Sequence, residues 1–152
     1  MGKIYNYIFN ASFGTGADHS KVFAVNWDKM PDDKPLKLTF SYTSNNTNDT
    51  FAETANIYCN LGQSYNIFGS GTSLINYRPD FLGFLTPIGF TVGATNFQSL
   101  TANTITNPPI YLDRRPYQNT ITVEIKTSAS QTANYTATLG NYTLILCFEE
   151  LE

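Results

Sequence analysis

Hydrophobic and polar residues alternate with a period of two along several stretches of this chain, and no long window follows helical spacing. In "LKLTFSY", Leu36, Leu38, Phe40 and Tyr42 fall on one face and Lys37, Thr39 and Ser41 on the other, as in a half-buried strand. "NTITVEIKTS" repeats the pattern, with Ile121, Val123 and Ile125 inward and Thr120, Thr122, Glu124 and Lys126 outward. "KVFAVNW" sets Val22, Ala24 and Asn26 against Phe23, Val25 and Trp27, and "TANIYCNLG" puts Ile57, Cys59 and Leu61 on one side. The breaks are as clear. "FGTGADHS" is a glycine-rich turn, "MPDDKP" has prolines at both ends of its acidic centre, and "TSNNTNDT" has the composition of a loop. From Gln63 to Thr106 only short candidates appear: "SLINY", "FLGFL", "GFTVGA" and "NFQSL".

The two ends depart from clean alternation. "NYTLILCFEEL" is apolar on both faces from Tyr142 to Phe148, and "IYNYIF" is dense in Ile, Tyr and Phe. A sheet face open to water reads as an alternation, whereas a run apolar on both faces requires a cover on each. One cover is the domain's core. The other is a loop, an arm or a neighbouring subunit, or the two termini cover each other.

These strands, spaced by turn signals and without helices for parallel crossovers, predict an all-β fold. The specific expectation is one domain over residues 1–152: a single eight-stranded antiparallel jelly-roll sandwich, with 1–12 as an N-terminal arm or edge strand. An immunoglobulin-like sandwich would place Trp between two cysteines, but Trp27 precedes both Cys59 and Cys147. Composition points the same way. Asn and Thr are abundant, and they suit turns and pleated surfaces respectively.

Charge narrows the function classes. Charged residues are 14% of the chain, against about 25% in ordinary soluble domains. A net charge of -3 argues against a sequence-independent nucleic-acid binder, which needs Lys and Arg to neutralise phosphate. No apolar run approaches a membrane span, and "MGKIYNYIFNASFG" reads poorly as a secretory signal.

The inventory for catalysis is thin, so no catalytic, cofactor or metal residues are expected. The single His19 lies in a polar loop, and two cysteines are too few for a zinc site. Cys59 and Cys147 read as buried thiols, since nothing in a sequence brings two cysteines within disulfide reach. "GSGTS", Gly69 to Ser73, has no helix after it to hold phosphate and reads as a tight turn. Asp32 and Asp33 read as a solvated turn rather than calcium ligands, and Asp80 and Glu124 are too isolated for a glycosidase pair. A carbohydrate- or receptor-binding head is the alternative, with Tyr65 and Tyr77 as loop aromatics that would stack on a sugar. Five N-x-[ST] sequons in so Asn- and Thr-rich a chain do not indicate glycosylation.

The one unusual charge feature is "NPPIYLDRRPYQN", where Arg114 and Arg115 sit side by side among three prolines. Proline removes ladder donors and extends the residue before it, so this is no central strand. Two readings stand. The arginines pair locally with Asp113 and the nearby turn, or at least one crosses an interface, where arginine is enriched.

Taken in order, the strand ending "NW", then "PLKLTFSY", "NIYCNLG", "FLGFL", "PPIYLDRRPYQNTITVEI" and "YTLILCFEEL" resemble small jelly-roll structural proteins of large icosahedral DNA viruses and virophage-like elements. Those are minor capsid proteins that accompany a double-jelly-roll major capsid protein. The resemblance covers about Val22 to Glu149 and consists of strand patterns; it brings no catalytic residues. It implies a penton, cement or surface-assembly subunit located in the virion. The implied partners are other copies of the chain and a major capsid protein, with no cofactor. Candidate contact residues are Ile4, Tyr5, Tyr7, Ile8, Phe9, Arg114, Arg115, Tyr117 and Phe148.

Overall fold

In the computed structural model the described residues are 2–12, 20–47, 54–61, 67–69, 75–77, 79–93, 95–102, 107–127 and 141–152. They form an all-β structure. Its strands are β1 (Ile4–Ser12), β2 (Ser20–Ala24), β3 (Leu36–Thr47), β4 (Ala55–Cys59), β5 (Ile67–Gly69), β6 (Ile75–Tyr77), β7 (Phe81–Val92), β8 (Thr95–Thr101), β9 (Ile110–Leu112), β10 (Thr120–Thr127) and β11 (Asn141–Glu150).

Eight of these run edge to edge in the order β1-β11-β3-β8-β7-β4-β10-β2, with every pairing antiparallel. The short β9 lies beside β3, and β5 and β6 make a separate two-stranded ladder. The sheet doubles back on itself. Phe9 on one edge strand and Phe23 on the other have ring centroids 5.0 Å apart, and Phe23 also meets Tyr142 edge-on. The inward rows are those read from the alternation: Leu36, Leu38, Phe40 and Tyr42 from β3 and Ile121, Val123 and Ile125 from β10, joined by Leu144, Leu146 and Phe148 of β11. Burying each large side chain contributes roughly 1.5–3 kcal/mol.

Three expectations are corrected. "TSNNT" is not all loop: β3 continues to Thr47 because Asn45, Asn46 and Thr47 find ladder partners in Ser99, Gln98 and Phe97. "FLGFL" and "GFTVGA" are one strand, not two. Phe81 to Leu85 pair with β4 and Thr86 to Val92 with β8, the handover falling beside Pro87, which has no amide proton to donate. The two-residue turn from Val92 to Thr95 holds Gly93 at φ 62°, a left-handed conformation that glycine takes without steric cost. Third, β4 is buried on both faces, not one: Asn56 and Tyr58 are as inaccessible as Ile57 and Cys59.

Gly83 sits inside β7, and the strand requires it. A Cβ there would strike Phe40 and the carboxamide oxygen of Asn107. The buried Asn107 uses that space to behave as a strand partner: its Oδ1 accepts from the Phe84 amide (2.7 Å) and its Nδ2 donates to the Phe84 carbonyl (3.0 Å). Gly83→Ala is therefore expected to destabilise by about 1–3 kcal/mol through overpacking, measured as a shift of the denaturation midpoint at unchanged m-value. A variant as stable as wild type would mean that Asn107 moves aside freely.

Candidate interaction surface

The first and last strands are neighbours. Ile4 pairs with Glu149 and Ser12 with Asn141, and β3 lies on the far side of β11. The exposure of β1 alternates strictly, although its sequence does not show it, because Tyr5 and Tyr7 have apolar rings and occupy inward positions. Tyr5, Tyr7, Phe9 and Ala11 point inward, and Ile4, Asn6, Ile8 and Asn10 point outward. In β11 the even residues from Tyr142 to Glu150 are buried and the odd ones half-buried.

The predicted contact residues therefore divide. Phe148 is fully buried and its ring meets Tyr7 (5.8 Å) and Trp27 (5.7 Å). Phe9 is 9% exposed and packs on Phe23. As surface contact residues, both are corrected: the chain's own core covers them. Tyr7 packs on Trp27 at 4.8 Å, and its hydroxyl, pushed up by burial, has no hydrogen-bond partner among the described residues. Ile4, Ile8 and Tyr117 are exposed, Tyr117 by 85%.

What remains outward on β1, β11 and β3 is a nearly uncharged face. Ile8 pairs with Ile145, Asn6 with Cys147 and Asn10 with Thr143, while Thr39, Ser41 and Thr43 continue those rows onto β3. Its charged pair is Lys37 with Glu149, 3.3 Å apart at one end. Cys147 belongs to this face and Cys59 to the core, where burial pushes its thiol up to about 12; both are free. The expectation of two buried thiols thus holds for Cys59 and is corrected for the half-buried Cys147.

The arginine segment resolves into two different environments. Arg115, 25% exposed, donates to the carbonyl oxygens of Met30 (2.7 Å) and Trp27 (3.2 Å) and lies 3.9 Å from an Asp28 carboxylate oxygen. Trp27 Nε1 in turn donates to the Gln118 carbonyl, so the 115–118 segment and the 27–30 turn hold each other. The local partner is this turn, across the chain, and not Asp113. Arg114 and Tyr117 point outward.

A third cluster joins the termini. Glu150 accepts from the Tyr5 hydroxyl (2.7 Å) and from Lys34 Nζ (3.2 Å). The Tyr5 bond chiefly, and Lys34 after it, hold the Glu150 carboxyl below its ordinary range, while Glu150 raises Tyr5. A carboxylate lowered on folding contributes stability above its unfolded value of about 4.3, lost as pH falls through the lower folded value. Tyr5 has the opposite sense, its share present below about 10 and lost as pH rises through the folded value. Melting temperatures taken from about pH 7 to about pH 3 are expected to fall less for Glu150→Gln than for wild type; identical slopes would show that this cluster is not coupled to folding.

At the other end of the same three strands lies a cleft of about 560 Å³ lined by Asn10, Ala11, Ser12, Thr43, Ser44, Asn141, Tyr142 and Thr143. It carries amides and hydroxyls and no charge, with Thr143 donating to Asn10 Oδ1 at 2.7 Å. Among the described residues no group of three or more His, Cys, Asp or Glu is placed to hold a metal, and no helix is long and apolar enough to cross a membrane. His19, Tyr65 and residues 70–73 of the "GSGTS" turn lie outside the described residues, and of Tyr77 only the backbone is described. Asp32 and Asp33 are exposed on their turn. No protein-family model and no curated protein matches the chain.

Proposed function

We propose that this chain is a non-enzymatic structural subunit of a viral shell, a minor capsid, penton or cement protein acting through contacts between subunits. The strand order supports reading the scaffold as a jelly roll. Counting the eight strands of the main path in chain order, their spatial order is first, eighth, third, sixth, fifth, fourth, seventh, second. That order results when a long antiparallel ribbon is wrapped over itself into two Greek keys, an architecture shared by capsid and lectin domains. The observation that carries the reading is the outward face of β1, β11 and β3, where Ile4, Ile8 and Ile145 stand among neutral amides and hydroxyls. Interface centres are depleted in charge in the same way. The native mass of the purified chain and its presence in purified virions test the reading together. A stable monomer absent from particles would refute it.

The neutral cleft by Asn10, Ser44 and Asn141 favours a second reading, a sugar- or receptor-binding head, because uncharged amides and hydroxyls match sugar hydroxyls. A glycan array on wild type and on Asn141→Ala separates the two. Selective binding lost in the variant supports the head, and no binding supports the shell subunit.

A further inference from the structure

The hydrogen-bond parity of β1 identifies a sheet edge that no other described strand covers. Lys3 lies one step beyond β1 in its register with β11, and its carbonyl accepts from the Glu150 amide at 2.9 Å. In an antiparallel ladder the groups of successive residues point to opposite sides. The odd residues of β1 therefore pair with β11, and the N–H and C=O groups of Ile4, Asn6, Ile8 and Asn10 point away from it. Among the described residues no strand pairs with that side, since β1 ends the sheet order.

Natural edge strands are protected by shortness, lysine, proline or a bulge. The opposite edge fits that rule: β2 has five residues and carries Lys21. The nine residues of β1, "IYNYIFNAS", contain no proline and no charge, and their pairing with β11 runs without a register shift.

We infer that β1 docks antiparallel against β1 of a second copy about a two-fold axis at Ile8, joining two sheets into one. The occupant follows from self-complementarity. A two-fold axis at Ile8 sets Ile8 against Ile8 and Asn6 against Asn10, so outward-pointing backbone groups meet outward-pointing ones. On the outer face, the Ile8–Ile145 pair of one copy abuts that of the other, giving a row of four isoleucines that covers an Ile8 now 60% exposed. Asn10 already accepts from Thr143 through its Oδ1, which leaves its NH2 to donate to the second copy's Asn6. Neutral edges let two copies of net charge -3 approach without a charge opposed at the joint. A foreign strand would need none of this symmetry.

The inference rests on the subunit reading for its use in an assembly, and on parity alone for its geometry. The test uses the full chain with Cys147→Ser, leaving only the buried Cys59. Light scattering is expected to show a dimer that dissociates on dilution. Ile8→Cys is expected to cross-link to its own equivalent under mild oxidation, because paired residues at such a position lie about 5.5 Å apart at Cα, within disulfide reach. Asn6→Cys, which faces position 10 of the second copy, is expected to cross-link far less. Ile8→Lys is expected to give a monomer with an unchanged melting temperature. A wild-type monomer at the highest soluble concentration, or stronger cross-linking at position 6 than at 8, would overturn the pairing. A β1-paired dimer absent from virions would sink only the shell reading, and a particle component without β1 pairing only this inference.

Discussion

Phe148→Ala is expected to cost about 3–5 kcal/mol, the usual range for emptying a buried aromatic site. Phe148 is fully buried, and its ring sits edge-on to both Tyr7 and Trp27, which also pack on each other. The three rings join β1, β11 and the segment after β2. Deleting one therefore loosens contacts between the sheet's last two strands and the opposite side of the core, so collapse around the cavity should be incomplete. Natural domains are stable by only about 5–15 kcal/mol, and the loss is a large part of that. The check is equilibrium denaturation, with Phe148→Leu retaining much of what Ala loses. A change under about 1 kcal/mol would mean that the ring is not closed off by its own chain and belongs at a contact with another.

Arg115→Ala is expected to destabilise by about 2–4 kcal/mol, since hydrogen bonds to charged groups contribute about 1.5–3 kcal/mol each and two carbonyls lose their donor. Those carbonyls belong to Trp27 and Met30, whose side chains are buried, so the turn that seats both would slacken. Arg115→Lys should recover only part, because one ammonium lacks the planar fork that spans two acceptors. Exposed Arg114 should tolerate Ala within about 0.5 kcal/mol. The two arginines, both candidate contact residues, therefore divide: denaturation midpoints report Arg115, and particle incorporation reports Arg114. Equal stability of the Arg115→Ala and wild-type chains would return both residues to the assembly reading.

Particular residues show how far pattern carries. The period-two rows of β3 and β10 were legible because each has one dry and one wet face, and side-chain direction then follows from alternation alone. The facing of β1 was not legible, because Tyr5 and Tyr7 read as surplus apolar surface at either face. Only their positions beside Glu150 and Trp27 show that both rings are used inside. Gly83 lies inside the expected strand "FLGFL", but why that position is glycine was not legible, because the side chain crowding it, that of Asn107, lies far along the chain.

Strand content, the turn at Pro31 to Pro35 and the scarcity of charge follow from residue order alone, since each depends on neighbours one or two positions apart. The long-range choices do not. That β1 adds to β11 and stops there, that Arg115 reaches the 27–30 turn instead of Asp113, and that Phe148 turns inward while Ile8 stays out were decided by pairing between residues far apart in the chain. A local alternation says that a strand has two faces; only a partner strand's register determines which face meets the core and which edge stays open.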